Sequence, residues 1–274
     1  MIQLSRFARW AVPSCLSLSL LGVAAAAGKT QLSETSQAIC NAPLGHQVLT
    51  PNELKLPASA IWQNKEQILL PTGALSSAST WRLLSAPQGN LKIETGQVAS
   101  GFDQALTLKT TSPQLLSLPA LTDDKLRKLH TTQLVLVQED SQGRVQSAMR
   151  IQSAKALDDL FAPAALAQAL GVQLTAGKNT GGKKAAAHKG AELSLWAPTA
   201  RAVSVCIYPN ALAAAVAHTP LKLDESSGVW RTQSTLAKPG TYYRYAVEVF
   251  VPGMGWMLNH VNDPYAVSLS ANSL

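Results

Sequence analysis

Acidic residues are scarce and scattered in this 274-residue chain, 16 Asp and Glu against 23 Lys and Arg. Cleavage of a glycosidic bond needs two carboxylates facing each other across a cleft. Half of the carboxylates fall in adjacent pairs, Asp123-Asp124, Glu139-Asp140, Asp158-Asp159 and Asp224-Glu225. Neighbours of that kind diverge on a strand or sit in turns and helix caps. The histidines His46, His130, His188, His218 and His260 show no ligand spacing among themselves or toward cysteine, which argues against a metal site. There is no G-x-S-x-G elbow and no phosphate-binding loop, and Gly253-Met254-Gly255 lacks the third glycine and the helix of a dinucleotide site. Neither catalytic residue, cofactor nor metal is expected, and the chain alone should be inactive.

Long apolar runs are also missing, with one exception. Arg6 and Arg9 precede an apolar stretch from Trp10 to Ala27 that ends in four alanines. Basic start, apolar centre and small-residue end are the marks of a secretory leader over residues 1–27. Pro13, Ser14, Ser17 and Ser19 interrupt the stretch and argue against a membrane span, and no other span is expected. Cysteines number three, and Cys15 leaves with the leader. Cys40 and Cys206 remain far apart in sequence, where a disulfide and two unpaired thiols fit equally well. Without Arg6 and Arg9 the net charge of +7 falls to +5. Lys178, Lys183, Lys184 and Lys189 crowd into one Gly/Ala-rich stretch, read as a solvated linker, and no nucleic-acid partner is expected of an exported chain.

Aromatic residues are few, and where they fall the chain reads as strands. After a polar segment over 28–45, expected to be flexible, short apolar runs alternate with turn residues from 46 to 154, as at Ile61-Trp62, Trp81-Arg82-Leu83-Leu84 and Leu106-Thr107-Leu108. Gln133 to Val137, then Glu139 to Gly143 and a further strand, predict a hairpin. Leu157, Leu160, Phe161, Ala164 and Ala165 recur at helical spacing and predict one short helix in a connector over 155–174. Residues 175–189 carry no core-forming side chain but alanine and read as the domain boundary. Over 190–274 strand patterns return, with turns at Asn210, Glu225 to Gly228, Lys238-Pro239-Gly240 and Pro252-Gly253. The expectation is an all-β chain of two β-sandwich domains joined by that helix, the second immunoglobulin-like.

Leu195-Trp196-Ala197-Pro198-Thr199-Ala200 resembles the opening signature of the family 48 carbohydrate-binding modules. Ser227-Gly228-Val229-Trp230, Gly240-Thr241-Tyr242-Tyr243-Arg244-Tyr245 and Asn262-Asp263-Pro264-Tyr265-Ala266 follow in the family's order. The stretch from Asp263 to Ser273 resembles the junction to the glycoside hydrolase family 13 barrel in bacterial pullulanases. Ala60-Ile61-Trp62 to Leu69-Leu70-Pro71 and Leu157 to Ala162 are similar to the β-rich N-terminal domain of the same enzymes.

The resemblance implies an accessory region of an exported debranching enzyme, with the sequence stopping where the barrel would begin. In that family the barrel supplies the Asp nucleophile and Glu acid, so no catalytic residue carries over. Contact with α-glucan (pullulan, starch, glycogen, maltooligosaccharides) and docking onto the barrel do carry over. Trp256, at the hairpin position where glycogen-binding members stack a glucose, is expected to project from its turn and meet sugar, with Tyr243 and Tyr245 beside it on an alternating strand. Trp196, Trp230, Asp263, Pro264 and Tyr265 are expected in the module core or against the barrel. Two other readings remain: a free-standing exported glucan-binding protein, and purely structural bracing domains.

Overall fold

A computed structural model describes residues 32–42, 45–74, 79–176, 188–266 and 268–270. The expected leader and residues 177–187 of the expected linker lie outside the described residues. In chain order the elements are α1 (Glu34–Cys40), β1 (His46–Pro51), β2 (Ala58–Asn64), β3 (Gln67–Leu69), β4 (Thr80–Ala86), β5 (Gln104–Ser112), β6 (Leu115–Ser117), α2 (Asp123–His130), β7 (Gln133–Glu139), β8 (Val145–Gln152) and α3 (Ala154–Ala165). Then follow β9 (Gly171–Ala176), β10 (His188–Trp196), β11 (Ala202–Tyr208), β12 (Ala217–Pro220), β13 (Lys222–Asp224), β14 (Val229–Ser234), β15 (Tyr242–Val251) and β16 (Gly255–Val261). The protein is all-β in two domains. No described helix is long and apolar enough to cross a membrane.

The first domain closes into a barrel in the order β2-β3-β6-β5-β4-β7-β8 rather than forming two open layers. Closure comes from a parallel pairing of β2 with β8, Ala58 opposite Arg150, which leaves the barrel without a free edge. Inside stand Trp62, Ile68, Trp81, Leu83, Leu116 and Leu136, all buried. On β4 the alternation puts Trp81 and Leu83 in that core. Its other face, Leu84 and Ala86, meets Leu91, Val135 and Val137, so both faces are covered and the run reads almost continuously apolar. Three described helices replace the single one expected. On α2 the Thr122 side chain caps the N-terminus, Asp123 and Asp124 occupy the first turn, and Arg127 and Lys128 the last, each charge suiting its end of the helix dipole.

The second domain packs a five-stranded sheet, β1-β16-β15-β11-β12, on a four-stranded one, β13-β14-β10-β9. Leu193, Leu195, Val205, Ile207, Trp230 and Tyr245 fill the space between. Two strands arrive from outside the stretch expected for it. β1 pairs with β16, His46 opposite Asn259, and β9, which begins inside the expected connector, pairs with β10. All six residues of β1 are exposed, so no buried alternation in the sequence points to its sheet. Cys40 and Cys206 form a disulfide across 166 residues, which settles the question the sequence left open. The segment expected to be flexible therefore contains a helix, α1, whose Ile39 and Cys40 pack with Cys206, Tyr208 and Ala215.

Candidate functional site

The hairpin of β15 and β16 turns through Gly253, at φ +81°, but it does not project Trp256 into solvent. That expectation is overturned: the ring is only 1% exposed. Its Nε1 donates to the Pro87 carbonyl at 3.1 Å, in the turn that follows β4 of the barrel. The Arg201 guanidinium lies 3.8 Å above the ring centroid, and Phe250 meets it edge-on at 5.7 Å. Arg201 is itself paired with Glu248. A side chain at Gly89 would come within 2.8 Å of the indole, so the turn and the ring fit only because residue 89 has none. Trp256 joins the module to the barrel, because the turn expected to face water meets a second domain.

The other candidates divide. Tyr245 is fully buried in the module core, so it offers no sugar contact. Tyr243 is half-buried, and its hydroxyl donates to Asp263 Oδ2 at 2.7 Å. Burial, then Asp263, pushes both tyrosine hydroxyls above the ordinary phenol range. Asp263 is buried, and its Oδ1 accepts the Tyr265 N–H at 2.8 Å, which fixes the chain as it leaves β16. Trp230 is buried and donates to the Ala197 carbonyl, whereas half-buried Trp196 donates to the Ser227 carbonyl and packs against the barrel core. Pro264 and Tyr265 lie on the surface.

A cleft of about 520 Å³ opens at the other end of β15. This volume lies within the range of roughly 300–1,000 Å³ usual for small-molecule sites. Its walls are the start of β15, the end of β11, the loop over 210–214, the C-terminal end of α1, and the segment after β16. Tyr242 stands on its rim with 41% of its surface exposed. Within it, Arg244 Nη2 donates to the Tyr208 hydroxyl at 3.3 Å, with the guanidinium 5.4 Å over the Tyr208 ring. The Tyr208 hydroxyl donates in turn to the Cys40 carbonyl at 2.6 Å. Asn41, Asn210 and Thr241 add amide and hydroxyl groups. Apolar ring faces flanked by a planar cation and carboxamides match a sugar, whose ring presents C–H groups on its faces and hydroxyls at its edge.

Of the two tyrosines expected to meet sugar, Tyr243 lines this cleft together with Tyr242 and Arg244, while Tyr245 does not. Since Tyr245 points into the core, alternation sends Tyr242 and Arg244 to the opposite side. Asn41 and Tyr208 carried no local signal, since a disulfide and a sheet pairing bring them together.

Residues 57–159 match the Pullulanase N2 domain family, and residues 177–266 match the family Carbohydrate-binding module 48 (Isoamylase N-terminal domain). The chain is 38% identical over 152 residues to Pullulanase 1, chloroplastic, of Arabidopsis thaliana, 55% of this chain and 14% of that protein. It is 37% identical over 132 residues to the pullulanase of Klebsiella pneumoniae, 48% of this chain and 11% of that one. Among solved structures, the maltotriose complex of PulA from Klebsiella pneumoniae superposes with a TM-score of 0.62 at 28% identity, covering 78% of this chain and 23% of that one. PulA from Klebsiella oxytoca superposes with a TM-score of 0.60 at 27% identity, covering 77% and 20%. The chain thus spans a small part of the length of the proteins it matches.

Proposed function

We propose, for a chain that joins a pullulanase N2 domain to a family 48 carbohydrate-binding module, that it is the accessory carbohydrate-binding region of an exported pullulanase-type debranching enzyme. In this reading the module contacts α-glucan, and the exposed surface at Pro264 and Tyr265 meets a family 13 catalytic barrel. The observation that carries it is the cleft beside Tyr242 and Arg244, an open site of sugar-like chemistry on the matched module. A maltotriose complex among the solved relatives supports α-glucan as the ligand class. Export is supported by the basic and apolar start of the sequence, and a buried disulfide suits an oxidising compartment.

Isothermal titration with maltoheptaose tests the reading. One aromatic face contributes about 1–1.5 kcal/mol, so Tyr242→Ala should weaken binding by roughly five- to tenfold. Tyr242 is exposed, and its loss should leave the melting temperature almost unchanged. Equal affinity in wild type and variant would remove the cleft from consideration. Bracing is favoured by an observation of its own: Trp256 is spent on the barrel contact, so the hairpin serves to hold the two domains together.

A further inference from the structure

Helix α1 lies outside both matched stretches, which begin at residue 57 and end at residue 266. It is nonetheless bound to the module at several points. Cys40 is bridged to Cys206 on β11, the strand next to the edge of the five-stranded sheet. The Cys40 carbonyl accepts from Tyr208, and Asn41 Oδ1 accepts the Ala215 N–H at 2.9 Å, from the loop on the other side of the cleft's end. One turn earlier, Ser36 Oγ and His218 Nδ1 are 3.0 Å apart, which ties the helix to β12. Cys40, Asn41 and Ala42 face the cleft opposite the start of β15 and residues Asn262, Asp263, Ala266 and 268–270.

The matched module therefore owns only part of the cleft's wall. We infer that the N-terminal segment around Cys40–Ala42 is a working wall of the carbohydrate site, held in place by the Cys40–Cys206 bridge, and that short α-glucan chains bind across it. This inference rests on the sugar-binding reading of the cleft. Its chemistry is specific to that wall: a peptide carbonyl already engaged by Tyr208, a carboxamide whose nitrogen is left for a sugar hydroxyl because its oxygen serves Ala215, and the small Ala42 that leaves the cleft open. Tyr208 and Arg244 then form a relay from the strand to the Cys40 carbonyl at the end of the helix, which ties the strand side of the cleft to its helix side.

Three variants of the whole chain, titrated with maltotriose and maltoheptaose by calorimetry, separate this wall from the cleft as such. Ala42→Trp fills the cleft from the helix side without touching the bridge and should weaken maltoheptaose binding at least tenfold, with the melting temperature nearly unchanged. Cys40→Ala with Cys206→Ala frees the helix and should weaken it severalfold, measured well below the variant's own melting transition. Tyr242→Ala reports on the opposite rim. If Tyr242→Ala weakens binding while both helix-side changes leave it unaltered, the cleft binds sugar but the helix is no wall of it, and the inference fails alone. If none of the three alters binding, the sugar reading of the cleft fails and takes the inference with it. Should the double cysteine variant not fold, Ala42→Trp alone decides, because a tenfold loss supports the wall and an unchanged affinity overturns it.

Discussion

Replacing Trp256 by alanine should destabilise the protein strongly while leaving sugar binding intact. Burying an indole removes about 150–250 Å² from water, worth about 4–6 kcal/mol at about 25 cal/mol per Å². Measured large-to-small changes in cores run to about 3–5 kcal/mol for Phe or Trp, because the surroundings relax only in part. The structure adds the lost hydrogen bond to Pro87 and the lost stacking of Arg201, each of order 1 kcal/mol. We take about 4 kcal/mol as the central value, which lowers the melting temperature by about 8–16 °C for a chain of this size. Because the ring joins module and barrel, scanning calorimetry should also resolve two transitions where the wild type shows one. Maltoheptaose affinity, measured below the first transition, should match wild type. A fall of less than about 3 °C with a single transition would mean that the indole is not buried between the domains, and the assignment of Tyr242 over Trp256 would lose its basis.

Gly89→Ala puts a methyl group against the same indole at a backbone φ of +69°. It should cost about 1–3 kcal/mol in urea unfolding, whereas alanine at Gly143, where φ is +75° and nothing stands within 4 Å, should cost only the backbone part. His130 is buried against Trp62, their ring centroids 4.4 Å apart, and burial holds its pKa down from 6.5 to about 4. The unfolded chain takes up a proton near pH 6.5 that the folded chain refuses, so stability is full above pH 6.5 and lost as pH falls toward 4, by about 3 kcal/mol over that window. Burial lowers the His218 pKa too, which adds to this loss, and raises the Glu139 pKa, which opposes it, while the lowered pKa values of Asp140 and Asp224 act only further down in pH. His130→Phe should flatten the profile of melting temperature against pH between 6.5 and 4, and an unchanged slope would reject the role given to burial.

Much of the strand content is legible because short apolar runs are bounded by turn residues. β10, β11, β14, β15 and β16 fall where such runs predict them, and the hairpin of β7 and β8 pairs Leu136 with Met149 as its turn sequence suggests. What escapes is non-local. α1 has seven residues and a single buried side chain, too few for a periodic pattern, and its place depends on a bridge across 166 residues. β1 has no buried face, and the closing of the barrel depends on a parallel pairing between strands at its two ends. Trp256 follows the same logic, since whether a hairpin ring meets water or protein is decided by the turn after β4, some 170 residues earlier.

The distribution of rings explains why the sugar contact should fall to tyrosine. Among the described residues, Trp62, Trp81, Trp230 and Trp256 are buried, and Trp196 packs against the barrel core. Phe161 is buried, and Phe250 lies against Trp256. Tyr245 lies in the core, and the hydroxyls of Tyr208 and Tyr243 are held by Cys40 and Asp263. Only Tyr242 and Tyr265 remain exposed among the described aromatic residues. Tyr242 lines the cleft beside Arg244, where a ring face can take a glucose and the guanidinium its hydroxyls. Tyr265 lies outside the cleft lining, on a segment whose direction Asp263 fixes through the Tyr265 N–H, a geometry that suits a partner domain better than a mobile oligosaccharide.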